Sequence, residues 1–146
     1  MQYGRKILSL LIAISILFCL SISVYAKDTR ASDYFVATRT YLSQTDTSKF
    51  AICFEVTAKN FMTELGAKSI VVKRSADGST WQTMRTCVPS VYPQMMGENT
   101  SFHSDYVSYN ATAGYYYKAL VTYYAKNSSG SSEYETWTEI LYLPTN

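Results

Sequence analysis

From Tyr34 to Leu143 apolar and polar side chains alternate with a period of two, in short runs separated by turn residues. That pattern predicts extended segments with one greasy face and one wet face. Phe50 to Ala58 sets Ile52, Phe54 and Val56 against Cys53, Glu55 and Thr57, the pattern of a half-buried antiparallel strand. Tyr34 to Leu42 reads as the strand before it. Ser69 to Arg74 and Trp81 to Val88 flank Ala76-Asp77-Gly78-Ser79, where Asp-Gly supplies the positive φ of a tight turn. A weaker strand is expected from Ser104 to Asn110. The segment Pro89 to His103, with Pro93, Gly97 and adjacent methionines, reads as a long surface connection. The one helical candidate, Phe61 to Lys68, is too short to stand as an amphipathic helix and ends near Gly66.

The clearest unit is a hairpin of Tyr115 to Asn127 and Glu133 to Leu143 around the polar loop Ser128 to Ser132. Alternation turns Tyr117, Ala119, Val121, Tyr123 and Ala125 inward, facing Tyr134, Thr136, Thr138, Ile140 and Tyr142. Lys118, Thr122, Glu133, Glu135 and Glu139 then point outward. Pairing Ala125 with Tyr134 keeps every inward residue opposite an inward one, whereas a one-residue slip would bury the glutamates. The expectation is all-β: a single antiparallel β-sandwich of about seven strands over residues 27–146.

Residues 1–26 have the layout of an export signal. Arg5 and Lys6 precede an apolar run from Ile7 to Val24, and Val24-Tyr25-Ala26 precedes Lys27-Asp28, so cleavage after Ala26 is expected. The rivals are a retained anchor, since eighteen mostly apolar residues lie at the short limit of a membrane span, and lipidation at Cys19, which bulky Phe18 disfavours. Removing Arg5 and Lys6 turns the formal +2 into balance, eleven basic against eleven acidic residues. A neutral chain with one adjacent basic pair, Lys73-Arg74, argues against nucleic acid and against an anionic membrane as partners of the mature form.

Candidate chemistry is sparse. His103 is the sole histidine, with Asp105 two residues on; the pair is a conceivable base and its orienting carboxylate, but no nucleophile completes a triad. One histidine with scattered acids gives no metal set and no cofactor. Cys53 and Cys87 are open between a disulfide, which an exported chain permits, and free thiols. Tyr116, Tyr124 and Trp137 are expected on the outward hairpin face among Lys118, Thr122, Glu135 and Glu139. They offer either a stacking platform or cross-strand pairs that only support the sheet.

Ser75-Ala76-Asp77-Gly78-Ser79-Thr80-Trp81 resembles the Asp-box of sialidase-like propellers without the residue between Asp and Gly, a hairpin staple in a single copy. The stretch Ile70 to Trp81, followed by Tyr115-Tyr116-Tyr117-Lys118-Ala119-Leu120-Val121, resembles the central strands of fibronectin type III modules. Met62 to Val72, Tyr92 to Met95 and Tyr116 to Ala119 make the chain similar to small secreted proteins of anaerobic Gram-positive bacteria that carry no assigned activity. The resemblance implies export and an immunoglobulin-like sandwich, and fold alone does not assign activity. The expected function is a secreted, non-enzymatic binding or adhesion module for a cell-surface glycan or protein. The alternatives are a bacteriocin-like or toxin-like antagonist, and a small hydrolase using His103 and Asp105.

Overall fold

The computed structural model describes residues 31–145. The export signal, Cys19 and the first residues of the expected domain lie outside the described residues. After one helical turn, α1 (Ala31–Tyr34), come seven strands: β1 (Phe35–Asp46), β2 (Lys49–Ser75), β3 (Gln82–Cys87), β4 (Met96–Asn110), β5 (Tyr115–Asn127), β6 (Gly130–Trp137) and β7 (Leu141–Leu143). A 3-10 turn, Pro93–Met95, precedes β4.

All pairings are antiparallel, and they join the seven strands into one sheet. Its axis is β2. Along one edge of β2 run β4 and then β3; along the other run β1 and then β5. β6 and β7 extend the far side of β5. The two expected strands Phe50–Ala58 and Ser69–Arg74 are thus one continuous strand of 27 residues.

β2 does not run straight. The exposed residues Lys59, Asn60 and Phe61 interrupt its buried phase, and its registers slip between Thr57 and Met62 against β4 and between Ala67 and Ser69 against β5. Such irregularities increase local twist and bend the strand. The sheet accordingly curls into a half-barrel and packs on itself. Phe50, near the start of β2, lies 5.1 Å from the Tyr117 ring of β5 and 5.2 Å from Tyr109 of β4. A separate second sheet is therefore not what closes the core, because β2 belongs to both halves.

The inner face is lined by Phe50, Ile52, Phe54, Val56, Leu65, Ile70, Val72, Tyr117, Val121 and Tyr123, all nearly inaccessible. Two tyrosines carry their hydroxyls to waiting backbone groups, as buried polar atoms require. Tyr123 donates to the Arg39 carbonyl at 2.7 Å and accepts from the Glu55 amide and the Thr40 hydroxyl. Tyr117 donates to the Thr112 carbonyl at 3.0 Å and accepts from the Thr112 amide at 2.8 Å.

The final hairpin is slipped by two residues from the expected register. Ala125 faces Ser132 and Tyr123 faces Tyr134, because the turn is only Ser128-Ser129, closed by Asn127 and Gly130. Asn127 Oδ1 accepts from the Ser129 amide at 2.8 Å, and Gly130 adopts φ 144. An even slip keeps each residue on its expected face, so Tyr117, Ala119, Val121, Tyr123 and Ala125 are buried and Glu133, Glu135 and Glu139 exposed. Two inward assignments fail further on. Thr138 does turn inward, exchanging hydrogen bonds with Ala119 through its backbone N–H and its hydroxyl, but the chain then changes phase. β7 buries Leu143 and leaves Tyr142 facing solvent, and Ile140, just before it, is exposed too. Tyr134, also expected inside, sits at the rim against Phe35.

The long connection expected over Pro89 to His103 ends at Met95. Met96 to His103 is strand, paired with β2 through Met62↔Thr100 and Gly66↔Met96. Backbone pairing overrides the poor strand propensity of Gly97, Glu98 and Asn99 at this sheet edge.

Candidate functional site

On β5, Tyr116, Lys118, Leu120, Thr122 and Tyr124 alternate onto the convex face. Trp137 lies opposite Leu120, and Lys73 lies opposite Lys118. Two lysines directly across a strand pair repel, and indole rings offset this. The Lys118 ammonium is 4.2 Å from the Trp81 ring centroid and 4.6 Å from that of Trp137, while Lys73 is 5.7 Å from Trp137. A cation over an aromatic face is held by the ring quadrupole. The result is a Trp81–Lys118–Trp137 stack with Trp137 45% exposed.

The three aromatics expected here share the face without forming one cluster. Tyr116 and Tyr124 are eight positions apart on one strand, roughly 26 Å at strand rise, so the face is a strip with Trp137 near its middle. Tyr116 is half-buried against Tyr142, whose ring is 4.8 Å away. Tyr124 is half-buried beneath Lys68 at 5.4 Å. Lys68 in turn pairs with Glu133, which raises its pKa, chiefly through the hydrogen bond. Cross-strand support therefore accounts for Tyr116 and Tyr124, whereas Trp137 and Tyr142 present ring surface to solvent.

Trp81 and Lys73 were not singled out by sequence as parts of this face. Trp81 precedes β3, and its placement follows from a register shift between Val72 and Lys73 that no local pattern signals. The loop holding it is stapled as the Asp-box resemblance implies. Asp77 Oδ1 accepts from the amides of Thr80 and Ser79 and from the Ser75 hydroxyl, and those bonds hold its carboxyl well below the usual carboxylate range. Gly78, rather than Asp77, takes the positive φ of 75. Beside the loop is a cavity of about 390 Å³ whose walls include Arg74, Asp77, Trp81 and Tyr115.

The other candidates are apart from this strip. Cys53 and Cys87 are both free. Cys53 lies on the convex face, where its hydrogen bond raises the Tyr41 pKa, and Cys87 is buried in the core, where desolvation pushes its thiol up. The disulfide left open by the sequence is not formed, since the two thiols occupy opposite faces of the sheet. His103 and Asp105 share one face of β4, but each bonds to backbone. His103 Nε2–H donates to the Gln94 carbonyl at 2.8 Å with the ring against Phe54, and Asp105 accepts from the Tyr106 amide at 2.7 Å. Among the described residues no three His, Cys, Asp or Glu side chains gather as metal ligands. No protein-family model matches the chain, and no curated protein is significantly similar to it.

Proposed function

We propose that this protein is a secreted, non-enzymatic module that binds a cell-surface saccharide along the convex strip of β5 and β6. The observation that carries the reading is the Trp81–Lys118–Trp137 stack, in which cations hold two indoles in place on a rigid sheet while nearly half of Trp137 stays open to solvent. Rings already ordered before binding lose little entropy on contact, and sugar C–H faces suit flat aromatic surface with polar neighbours. The strip is long enough for several pyranose units. A hydrolytic role for His103 draws no support from a ring bonded to a main-chain carbonyl. The likeness to secreted bacterial proteins and to fibronectin type III or immunoglobulin-like sandwiches belongs to the same reading. It is supported by the export layout of residues 1–26 and by the Tyr117-x-Ala119-x-Val121 alternation buried on β5.

A glycan array followed by calorimetry tests it. Trp137→Ala is expected to lower affinity for the captured glycan at least tenfold, about 1.4 kcal/mol, while the melting temperature shifts by only a few degrees. Unchanged affinity in the variant would sink the platform.

A further inference from the structure

Four lysines stand along the convex strip, and their surroundings divide them into two pairs. Lys68 and Lys126, at the Tyr124 end, are exposed, and their ammoniums donate hydrogen bonds to the carboxylates of Glu133 and Glu64. Lys73 and Lys118, at the Trp137 end, are half-buried. Yet among the described residues the ion pairs are Lys68–Glu133 and Lys126–Glu64, so neither half-buried ammonium has a carboxylate partner there. Glu135 and Glu139 flank Trp137 in sequence and pair with neither lysine; Glu135 accepts from the Thr122 hydroxyl instead. This is the reverse of what solvation dictates, since a charge that gives up water ordinarily gains a partner charge. The proximity of the two follows from the register. Lys73 and Lys118 are directly opposite in the β2–β5 ladder, which puts their Cβ atoms roughly 5 Å apart. Both ammoniums stand over the same indole, 5.7 and 4.6 Å from the Trp137 centroid.

Indole faces offset the repulsion between the two charges without removing it, and they leave ammonium N–H donors for an acceptor. We infer that Lys73 and Lys118 form an anion subsite beside Trp137, and that the saccharide bound on the strip carries an acidic group, a carboxylate or a sulfate, on the sugar unit that stacks there. An oxyanion between the two ammoniums relieves their repulsion and takes charge-assisted hydrogen bonds from both, stronger than neutral ones. At the other end of the strip Lys68 and Lys126 are already matched by Glu133 and Glu64, so the unmatched positive charge is confined to the Trp137 end. The choice of a saccharide rests on the binding reading above; the juxtaposition of the two lysines does not.

The experiment titrates two matched pairs of oligomers into the isotope-labelled protein: de-esterified and fully methyl-esterified galacturonan, and the sulfated and unsulfated forms of one galactan. Lysine ε-methylene and tryptophan indole N–H resonances are followed by NMR, and affinity by calorimetry. An acidic oligomer is expected to bind roughly tenfold tighter than its neutral counterpart. Lys73 and Lys118 should shift together, and the advantage should shrink as salt is raised. The pair that shows the advantage tells carboxylate from sulfate. Lys73→Gln, which leaves Lys118 between its two indoles, is expected to cut the advantage to about threefold, and Lys73→Arg to retain it. Equal affinity for acidic and neutral forms, with Trp137 shifting for both, overturns the inference and keeps the platform. Shifts at both lysines with an acidic oligomer whose affinity ignores Trp137→Ala would keep the anion subsite and discard the platform. No shift at either lysine with any of the four overturns the inference.

Discussion

Single side chains in this molecule fasten backbone groups of distant segments. The Tyr123 hydroxyl ties β5 to Arg39 and Thr40 of β1 and to Glu55 of β2, so its three contacts fasten the start of β2 and its β1 partner to β5 from the inner face. Asp77 plays the same part in the Ser75–Trp81 loop. Because bonding to Thr80, Ser79 and Ser75 depresses its carboxyl, the folded pKa lies below the unfolded value of about 3.9. The ionised form therefore contributes stability in full above that value, and the contribution drains away as pH falls below it toward the folded pKa. Urea unfolding as a function of pH should show this acid limb in the native protein, and Asp77→Asn should flatten it while lowering stability near neutrality. An identical acid limb in Asp77→Asn would assign the effect to other carboxylates.

At the scale of elements, β2 dominates, and at Gly66 its backbone lies tight against the residues that open β4. A Cβ there would sit 2.2 Å from the Met95 carbonyl oxygen, a backbone atom that cannot swing aside. Gly66→Ala is expected to cost roughly 2 kcal/mol or more by overpacking, read as a lower denaturation midpoint with an unchanged m-value. Local loss of amide protection should concentrate where β4 begins, at Met96 to Glu98. The β5–β6 hairpin shows a different kind of control. Its two-residue turn sets the register and the hydrophobic phase sets the face, so turn and pattern can disagree by two residues without moving any side chain to the wrong side.

Across the whole molecule, what the sequence made legible was local. The inward set on β5, the outward glutamates and the exposure of Trp137 all follow from period-two alternation, and each is where that alternation puts it. The sequence shows only a break between the alternating runs Phe50–Ala58 and Ser69–Arg74, yet one strand continues across it, with Lys59, Asn60 and Phe61 as an unpaired irregularity. Polarity marks a bend and a chain reversal alike. The single curled sheet was illegible for the same reason, since nothing local says that one strand serves both halves. The Trp81–Lys118–Trp137 stack escaped because it joins three segments whose proximity depends on the register of β2 with β3 and β5.

The bend in β2 carries one more consequence. Phe61 is 75% exposed, and the chain is clasped on both sides of it, by β1 and β4 before and by β4, β5 and β3 after. A protease nick beside Asn60 would cut the backbone while leaving β4 laddered to both pieces. The severed peptides should stay together through gel filtration, come apart in urea, and find each other again on dilution, making this seam a natural place to split the protein into two complementing fragments.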